Sequence, residues 1–443
     1  MAVFLVSLDS TVLYAGFSSI HAAFPGTEAT DLSWVLNAYT IMFAALLVPA
    51  GRAADLYGRK RLFAAGLAIF LLASLACGLA SSVPVLVAAR AVQGLGAALL
   101  MPASLSIVLA VFPPAQRRLA VGLWGATGGL AAALGPIVGS FLVAALGWPW
   151  AFYLNLPLGV WALWRTWTIL PAHGGNPGRQ RLDPVGILLL IAGTSALTWG
   201  LIQTDPVGWG SPAVLGAFAL GALCLSAFVR WSVRHPHAVV DLTLFRHPVF
   251  RFANLATFTF NVAFSMMFFG FFLFLTQAWH YTLPQAGLAI TPGPLVVILV
   301  AVVAGRHVSH IPPWKLLVLG CLVFAAGVLW LDLHVASRPN YLQIWLPAML
   351  LTGIGVGFLQ PGLTAAVASS LDAPRFGMGA SVNQAVRQLG NVFGVAFTAL
   401  LLTGGMPDGS AYHQHERVQL FLTFVTLLFC LGVRPDRPGA PKD

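Results

Sequence analysis

Apolar runs of about 20 residues recur along the whole chain, separated by Pro, Gly or charged punctuation. A helix rises ~1.5 Å per residue, so each run matches the ~30 Å hydrocarbon core of a bilayer. Within that core every backbone N–H and C=O must be satisfied inside the protein, which favours helices. The runs are 1–20, 32–50, 62–80, 84–112, 119–146, 149–170, 184–203, 212–231, 252–279, 285–304, 315–332, 341–364, 379–403 and 418–434, the last barely long enough to cross. The expected fold is all-α, a polytopic membrane protein with about 14 transmembrane helices. Composition agrees, since 58% of the 443 residues are hydrophobic, 8% are charged, and mean hydropathy is +0.85. No water-soluble globular protein needs that much apolar surface.

A net charge of +10 would suit nucleic acid, but the cations sit in short loops between apolar runs. That is the positive-inside pattern of a membrane protein. With the N-terminus inside, 19 of the 23 Lys and Arg residues fall at cytoplasmic ends or loops, and inverting the chain would reverse the ratio. Both termini are therefore expected in the cytoplasm, with lipid and not nucleic acid as the surrounding partner. Arginine outnumbers lysine 20 to 3 and alanine is abundant, as in a high-GC bacterial genome, so the expected location is a bacterial cytoplasmic membrane. The first run starts at Met1 without a basic leader or a small-residue cleavage site, and reads as a retained span. Cys77, Cys224, Cys321 and Cys430 are scattered through apolar runs and form no metal or redox pattern. His307 with His310, and His413 with His415 and Glu416, read as loop residues without enough ligands for a metal.

Charge is densest in GRAADLYGRKRL, Gly51–Leu62, which holds Arg52, Arg59, Lys60, Arg61 and one acid, Asp55. Topology alone explains the cations, but not Gly51 and Gly58, which suit tight turns, nor an acid within a basic run. The pattern resembles the loop between helices 2 and 3 of the major facilitator superfamily of secondary transporters. The resemblance implies that Gly51, Asp55, Gly58, Arg59 and Arg61 form a conformational switch.

Ionisable groups at membrane depth point to function. Asp9, in L-D-S-T-V, is the only acid that these spans place clearly within the hydrocarbon, although it is merely interfacial if Met1 lies in the cytoplasm. L-D-x-T-V resembles the helix-1 signature of drug:proton antiporters, which implies proton coupling at Asp9 and a cavity role for Thr11. Tyr14 and Ser18 depart from that pattern. Arg90 and Gln93 share a face of the fourth span. The resemblance gives Arg90 a part in proton transfer; a structural Arg capping a neighbour's carbonyls reads equally well. Counting ~1.5 Å per residue puts Asp9 roughly 12 Å from the inner face and Arg90 roughly 10 Å from the outer. In a core about 30 Å thick that leaves a gap near 8 Å, so direct pairing depends on state and water or Gln93 can intervene. In the fifth span, Gly135, Pro136 and Gly139 belong to G-P-I-V-G-S, which resembles the superfamily's antiporter signature, with Ser140 in place of the usual Gly.

Later spans carry polar stripes. Asn254, Thr257, Asn261 and Ser265 share one helical face, and Asn383, Arg387 and Asn391 another. Such stripes face protein or a water-filled cavity, so Gln93, Asn254, Asn261, Ser265, Asn383 and Arg387 join Thr11 as cavity candidates. Arg387 can also snorkel to the cytoplasm. The second half echoes the first: Gly51-Arg52, Arg61-Leu62 and Gly66 answer Gly305-Arg306, Lys315-Leu316 and Gly320, and G-L-G-A-A-L-L-M-P ending at Pro102 answers G-I-G-V-G-F-L-Q-P ending at Pro361. Two six-helix pseudo-repeats are expected, at 1–170 and 252–434, with an inserted helix pair at 184–231, cytoplasmic linkers at 171–183 and 232–251, and a tail at 435–443.

The resemblance spans the chain and implies a fourteen-helix drug:proton antiporter of the multidrug or quaternary-ammonium resistance type. It implies a monomer without cofactor, powered by protons, exporting amphipathic or cationic small molecules. A dedicated exporter of one endogenous metabolite or antibiotic fits the same scaffold, and a non-transporting membrane sensor is the remaining alternative. No phosphate loop, triad order or haem motif suggests an enzyme. The topology is open to test: Ser410→Cys should react with an impermeant maleimide added from outside the cell. Labelling only from inside would remove the last span.

Overall fold

The computed structural model describes residues 1–169, 183–235, 238–307, 311–334, 339–371, 376–402 and 410–434; some side chains within them, Arg52 and Asp55 among these, are not described. In chain order the helices are α1 (Ala2–Ala23), α2 (Ala29–Leu32), α3 (Trp34–Tyr57), α4 (Arg59–Gly78), α5 (Val83–Val111), α6 (Pro114–Leu146), α7 (Trp150–Tyr153), α8 (Asn155–Ile169), α9 (Pro184–Val207), α10 (Pro212–Arg234), α11 (Pro248–Leu273), α12 (Leu283–Ile290), α13 (Pro292–His307), α14 (Pro313–His334), α15 (Leu346–Ser369), α16 (Phe376–Leu402) and α17 (Ser410–Leu431). The fold is all-α. Helices α2 and α7 are single turns, and α12 with α13 form one span interrupted at Thr291, consistent with about fourteen crossings. Among the described residues, 11 helical spans are long and apolar enough to cross a membrane.

Local chemistry sets the boundaries. Pro opens α5, α6, α9, α10 and α11, where its missing N–H costs nothing. Gly58, Gly147 and Gly208 follow α3, α6 and α9 at φ +93, +90 and +80, a region that resists side chains. The outside of the molecule is apolar: Leu72, Leu223, Leu299 and Phe421 are each more than 60% exposed. Its interior holds Asp9, Arg90, His415 and Glu416. That inversion suits a lipid solvent.

Two expectations are corrected. Gly51–Leu62 is not an extended loop, because α3 continues to Tyr57 and α4 restarts at Arg59 around Gly58 alone. Arg and Lys are good helix formers, so charge by itself does not end a helix. Arg59 Nη1 donates to Ser106 O on α5 at 3.2 Å, and Lys60 Nζ to Trp167 O on α8 at 3.3 Å, so two of the cations fasten helix ends. The segment from Ser410 to Glu416 is not a loop either; it opens α17, with His415 1% exposed. Tyr412, His415, Glu416, Gln419, Thr423 and Thr426 face inward at helical spacing, while Phe421, Phe424 and Leu428 face outward. Average hydropathy misses a helix whose polar face is buried in protein.

Close helix crossings depend on glycine, and one recurs in both halves. A Cβ on Gly96 of α5 would lie 2.6 Å from Phe70 N of α4 and 2.9 Å from Gly66 O. A Cβ on Gly355 of α15 would lie 2.7 Å from Phe324 N of α14 and 2.8 Å from Gly320 O. Helix α6 joins the halves: Gly139 abuts Val12 of α1, and Ser140 and Pro136 meet Gly287 of α12. Helix α3 packs along α16, with Gly51 in reach of both Pro102 and Ser381.

Gly96→Val should destabilise the purified protein by about 1–3 kcal/mol, since backbone on the facing helix cannot yield. Gly216→Val on α10, where a Cβ would meet nothing within 4 Å, should leave thermal unfolding unchanged. Equal effects would contradict the crossing.

Candidate functional site: a buried ion pair

Asp9 on α1 and Arg90 on α5 are 2% and 1% exposed. Arg90 Nη1 donates to Asp9 Oδ2 at 2.7 Å and to Gln93 Oε1 at 2.6 Å, while Arg90 Nε donates to Val35 O on α3 at 3.0 Å. The guanidinium carbon lies 4.1 Å from the centre of the Tyr39 ring and 5.7 Å from that of Phe152, an arrangement that favours a desolvated cation. Asp9 Oδ1 accepts from Gln93 Nε2 at 2.8 Å and from Asn155 Nδ2, at the start of α8, at 2.7 Å. Ser74 Oγ on α4 accepts from both amides at 2.9 Å and donates to Phe152 O at 3.3 Å. One anion, one cation and three neutral side chains thus join α1, α4, α5 and α8 in a network of zero net charge, in which Asn155 Oδ1 alone has no partner among the described residues.

The predicted ~8 Å gap is corrected, because the pair is in direct contact. Counting depth along each helix assumes upright helices with ends level with the bilayer faces. Membrane helices tilt, on average by about 20°, so residue count does not convert directly to depth. The sequence reading also left Ser74, Tyr39 and Asn155 outside the site. Asn155 had a signal, an amide at the start of an apolar span, whereas a Ser or Tyr in an apolar helix is too common to stand out.

Other predicted residues lie elsewhere. Thr11 donates to Ser7 O and Leu8 O at 3.0 and 3.1 Å, and its hydroxyl fills the space beside Gly135. Gly135 and Gly139 seat α6 on α1, while Pro136 turns its carbonyl toward Gly287. The α11 stripe bonds to neighbouring helices. Asn383 Nδ2 on α16 donates to Asn254 Oδ1 at 3.1 Å and Thr257 Oγ1 at 3.0 Å; Gln360 Nε2 on α15 donates to Asn261 Oδ1 at 3.1 Å. Ser265 Oγ donates to Asn391 O at 3.1 Å and lies 3.3 Å from Tyr14 Oη of α1. Arg387 Nη2 donates to Thr364 Oγ1 on α15 at 2.8 Å. Gly58 breaks the α3–α4 junction, and Arg61 is exposed there. The Asp55 carboxyl lies outside the described side chains.

A family model described as Major Facilitator Superfamily matches residues 1–395 and, again, 253–441. The chain belongs to the major facilitator superfamily. It is a multi-pass membrane transporter and not an enzyme. Among its relatives in that superfamily, a methylenomycin A resistance protein of Streptomyces coelicolor is 34% identical, covering 98% of this chain and 91% of the relative. The multidrug resistance protein Stp of Mycobacterium tuberculosis is 31% identical over 91% of this chain and 74% of its own. The xylose transporter XylE of E. coli, in a partially occluded inward-open conformation, superposes with a TM-score of 0.68 at 15% identity, covering 99% of this chain and 97% of that one. The last match establishes the superfamily fold alone.

Removing one member of a buried ion pair strands the other charge and typically costs about 3–5 kcal/mol. Asp9→Asn and Arg90→Gln should each lower stability in thermal unfolding. The double variant, with no charge left to strand, should lose less than the sum. Additive losses would contradict the pairing.

Proposed function

We propose that the protein is a proton-coupled exporter of amphipathic or cationic small molecules, working by alternating access. It acts as a monomer in a bacterial cytoplasmic membrane with both termini inside. Residues 1–170 and 252–434 form the two moving bundles, 184–231 is the inserted pair, and 171–183, 232–251 and 435–443 are cytoplasmic linkers and tail. The observation that carries this reading is the buried Asp9–Arg90 pair, an ionisable couple on two helices of one bundle. The relatives named for drug resistance support the direction of transport.

The geometry suggests how a proton moves helices. Ionised Asp9 is held by a cation and two amide donors. A proton arriving on Oδ1 or Oδ2 removes the charge, and Arg90 keeps only Val35 O, Gln93 and the two rings. The bond from α1 to α5 then weakens, since charge-assisted hydrogen bonds are roughly twice as strong as neutral ones. Two and three residues after Asp9, Thr11 and Val12 seat on Gly135 and Gly139 of α6, whose Pro136 and Ser140 meet Gly287 in the other bundle. A shift of α1 is thereby delivered to the interface between bundles. Asp55 acts as a cytoplasmic latch between helix ends, set by conformation and indifferent to substrate.

A dedicated exporter of one antibiotic is the second reading. It is favoured by relatives named for single compounds, such as a cephamycin export protein of Amycolatopsis lactamdurans, 34% identical over 92% of this chain and 84% of that protein.

Purified protein in proteoliposomes with an imposed proton gradient should move ethidium against its gradient, and Asp9→Asn should abolish this. Asp55→Asn should slow ethidium and tetraphenylphosphonium by the same factor while the protein still reaches the membrane. Wild-type pumping by Asp9→Asn would remove Asp9 from coupling. Transport of neither probe, with movement of one natural antibiotic, would favour the dedicated reading.

A further inference from the structure

A second buried ionisable pair stands in the other half of the molecule, on α17. His415, Glu416 and Gln419 are 1%, 6% and 0% exposed. His415 Nε2 lies 3.3 Å from Thr398 Oγ1 on α16, and that hydroxyl donates to Gly394 O at 3.0 Å, leaving a lone pair for the imidazole. His415 Nδ1 lies 3.0 Å from Gln419 Nε2, which can only donate. The neutral imidazole therefore carries its hydrogen on Nε2, and its one Nδ1 lone pair accepts the Gln419 N–H. Glu416 Oε1 stands 3.5 Å from that same Nδ1. Two acceptors face each other, while Glu416 Oε2 and Gln419 Oε1 are buried without a partner. The cluster has more acceptors than donors, and what it lacks is a proton.

We propose that His415 and Glu416 form a second proton-binding site, in the C-terminal half, separate from Asp9. The unloaded pair is an imidazole and a carboxylate, with charge −1. One proton placed between Nδ1 and Oε1 makes the pair neutral overall, as imidazolium with carboxylate or imidazole with carboxylic acid. No bond other than those to this proton forms or breaks. Loading replaces the Gln419 amide N–H at Nδ1, so the Gln419 side chain must turn to present its oxygen.

The surrounding groups leave this pair as its own titrating unit among the described residues. On α14, Asp332 is engaged by His413 Nδ1 at 2.8 Å and by Arg417 Nε at 3.9 Å, with those two side chains 38% and 74% exposed. On α17 itself, Tyr412 Oη points to Gln277 at 3.5 Å. Cys321 of α14 and Cys430 of α17 pair with one another at 4.0 Å, toward the opposite end of α17. Helix α16 presents Thr398, with Arg387 three turns earlier, and α11 presents Gly270.

Gly270 links the site to movement. A Cβ there would lie 2.6 Å from His415 Cε1, so the imidazole occupies the notch of the glycine. The preceding residues of α11, Phe268 and Phe269, pack on Tyr14 with ring centres 5.6 and 5.7 Å apart, and Phe269 also packs on Phe17 at 4.8 Å. Tyr14 and Phe17 lie on α1, the helix of Asp9. An imidazole that changes partners in the α11 notch is thus one helix from the first proton site. Its effect on transport rests on the exporter reading above; its proton binding does not.

The test is nitrogen NMR of the full-length protein labelled with 15N-histidine in nanodiscs, with the His415 signal identified by its loss in His415→Asn. On acidification the signal should change between the neutral and the protonated form of the imidazole. Glu416→Gln, nearly isosteric, should displace the midpoint by about one pH unit or more, as expected when a charge within 4–6 Å is removed. Thr398→Val should disturb the tautomer without removing the titration. In proteoliposomes, Glu416→Gln should shift the pH dependence of ethidium efflux. A His415 signal fixed in one form on acidification, or unmoved by Glu416→Gln, would overturn the proposal. An intact titration in a protein that moves no ethidium would sink the ethidium-exporter reading and leave the proton site standing.

Discussion

The Asp9–Arg90 pair is the constraint around which the first half of this transporter is arranged. A lone charge at bilayer depth costs at least ~2.5–3.5 kcal/mol, so each residue is costly there without the other. Coulomb attraction alone does not repair the loss of water; the remaining lone pairs and N–H groups must be bonded as well. Gln93 does both, accepting from Arg90 and donating to Asp9, and Asn155 supplies the other donor to the carboxylate. The result fixes α1, α4, α5 and α8 about a single polar centre while the surfaces around it stay apolar.

A centre of that kind is useful only if the helices that carry it can transmit a change. The small residues give them that property. Helix α6 uses one side, Gly135 and Gly139, against α1, and turns Pro136 and Ser140 toward Gly287 of α12. Helix α6 is thus closely packed on both sides, against Thr11 and Val12 of α1 and against Gly287 of α12. The same device holds α4 to α5 and α14 to α15, through Gly66 with Gly96 and Gly320 with Gly355. The two halves thus share a packing scheme, yet they differ in chemistry: an acid and an arginine in one, a histidine and an acid on α17 in the other.

Much of this was legible in the sequence. Long apolar runs have few physical solutions, so the all-α membrane fold followed from length and hydropathy. Asp9 and Arg90 stood out because charges are rare in such runs. The repeat was visible because the glycines of the close crossings recur in the same order, Gly66 and Gly96 answered by Gly320 and Gly355 at offsets of 254 and 259. What was hidden depended on which way a helix faces. Ser74 and Asn155 complete the site only because α4 and α8 turn them toward Asp9, and nothing local announces that. The start of α17 looked like a loop because His413, His415 and Glu416 depress its hydropathy; two of them are in fact shielded by α11, α14 and α16. Gly58 shows the converse, since a run of cations that suggested a loop is mostly helix with one left-handed residue.

The central claim is that the Asp9 carboxyl takes and gives the proton that drives the helices. Infrared difference spectroscopy of the purified protein between high and low pH reads this directly, in the C=O band of a protonated carboxylic acid. Recorded in a Glu416→Gln background, so that the second pair contributes no acid band, the spectrum should contain a band that disappears in Asp9→Asn. It should also change its pH midpoint in Arg90→Gln. A spectrum identical with and without Asp9 would mean that this carboxyl never changes protonation, and the coupling mechanism would be wrong.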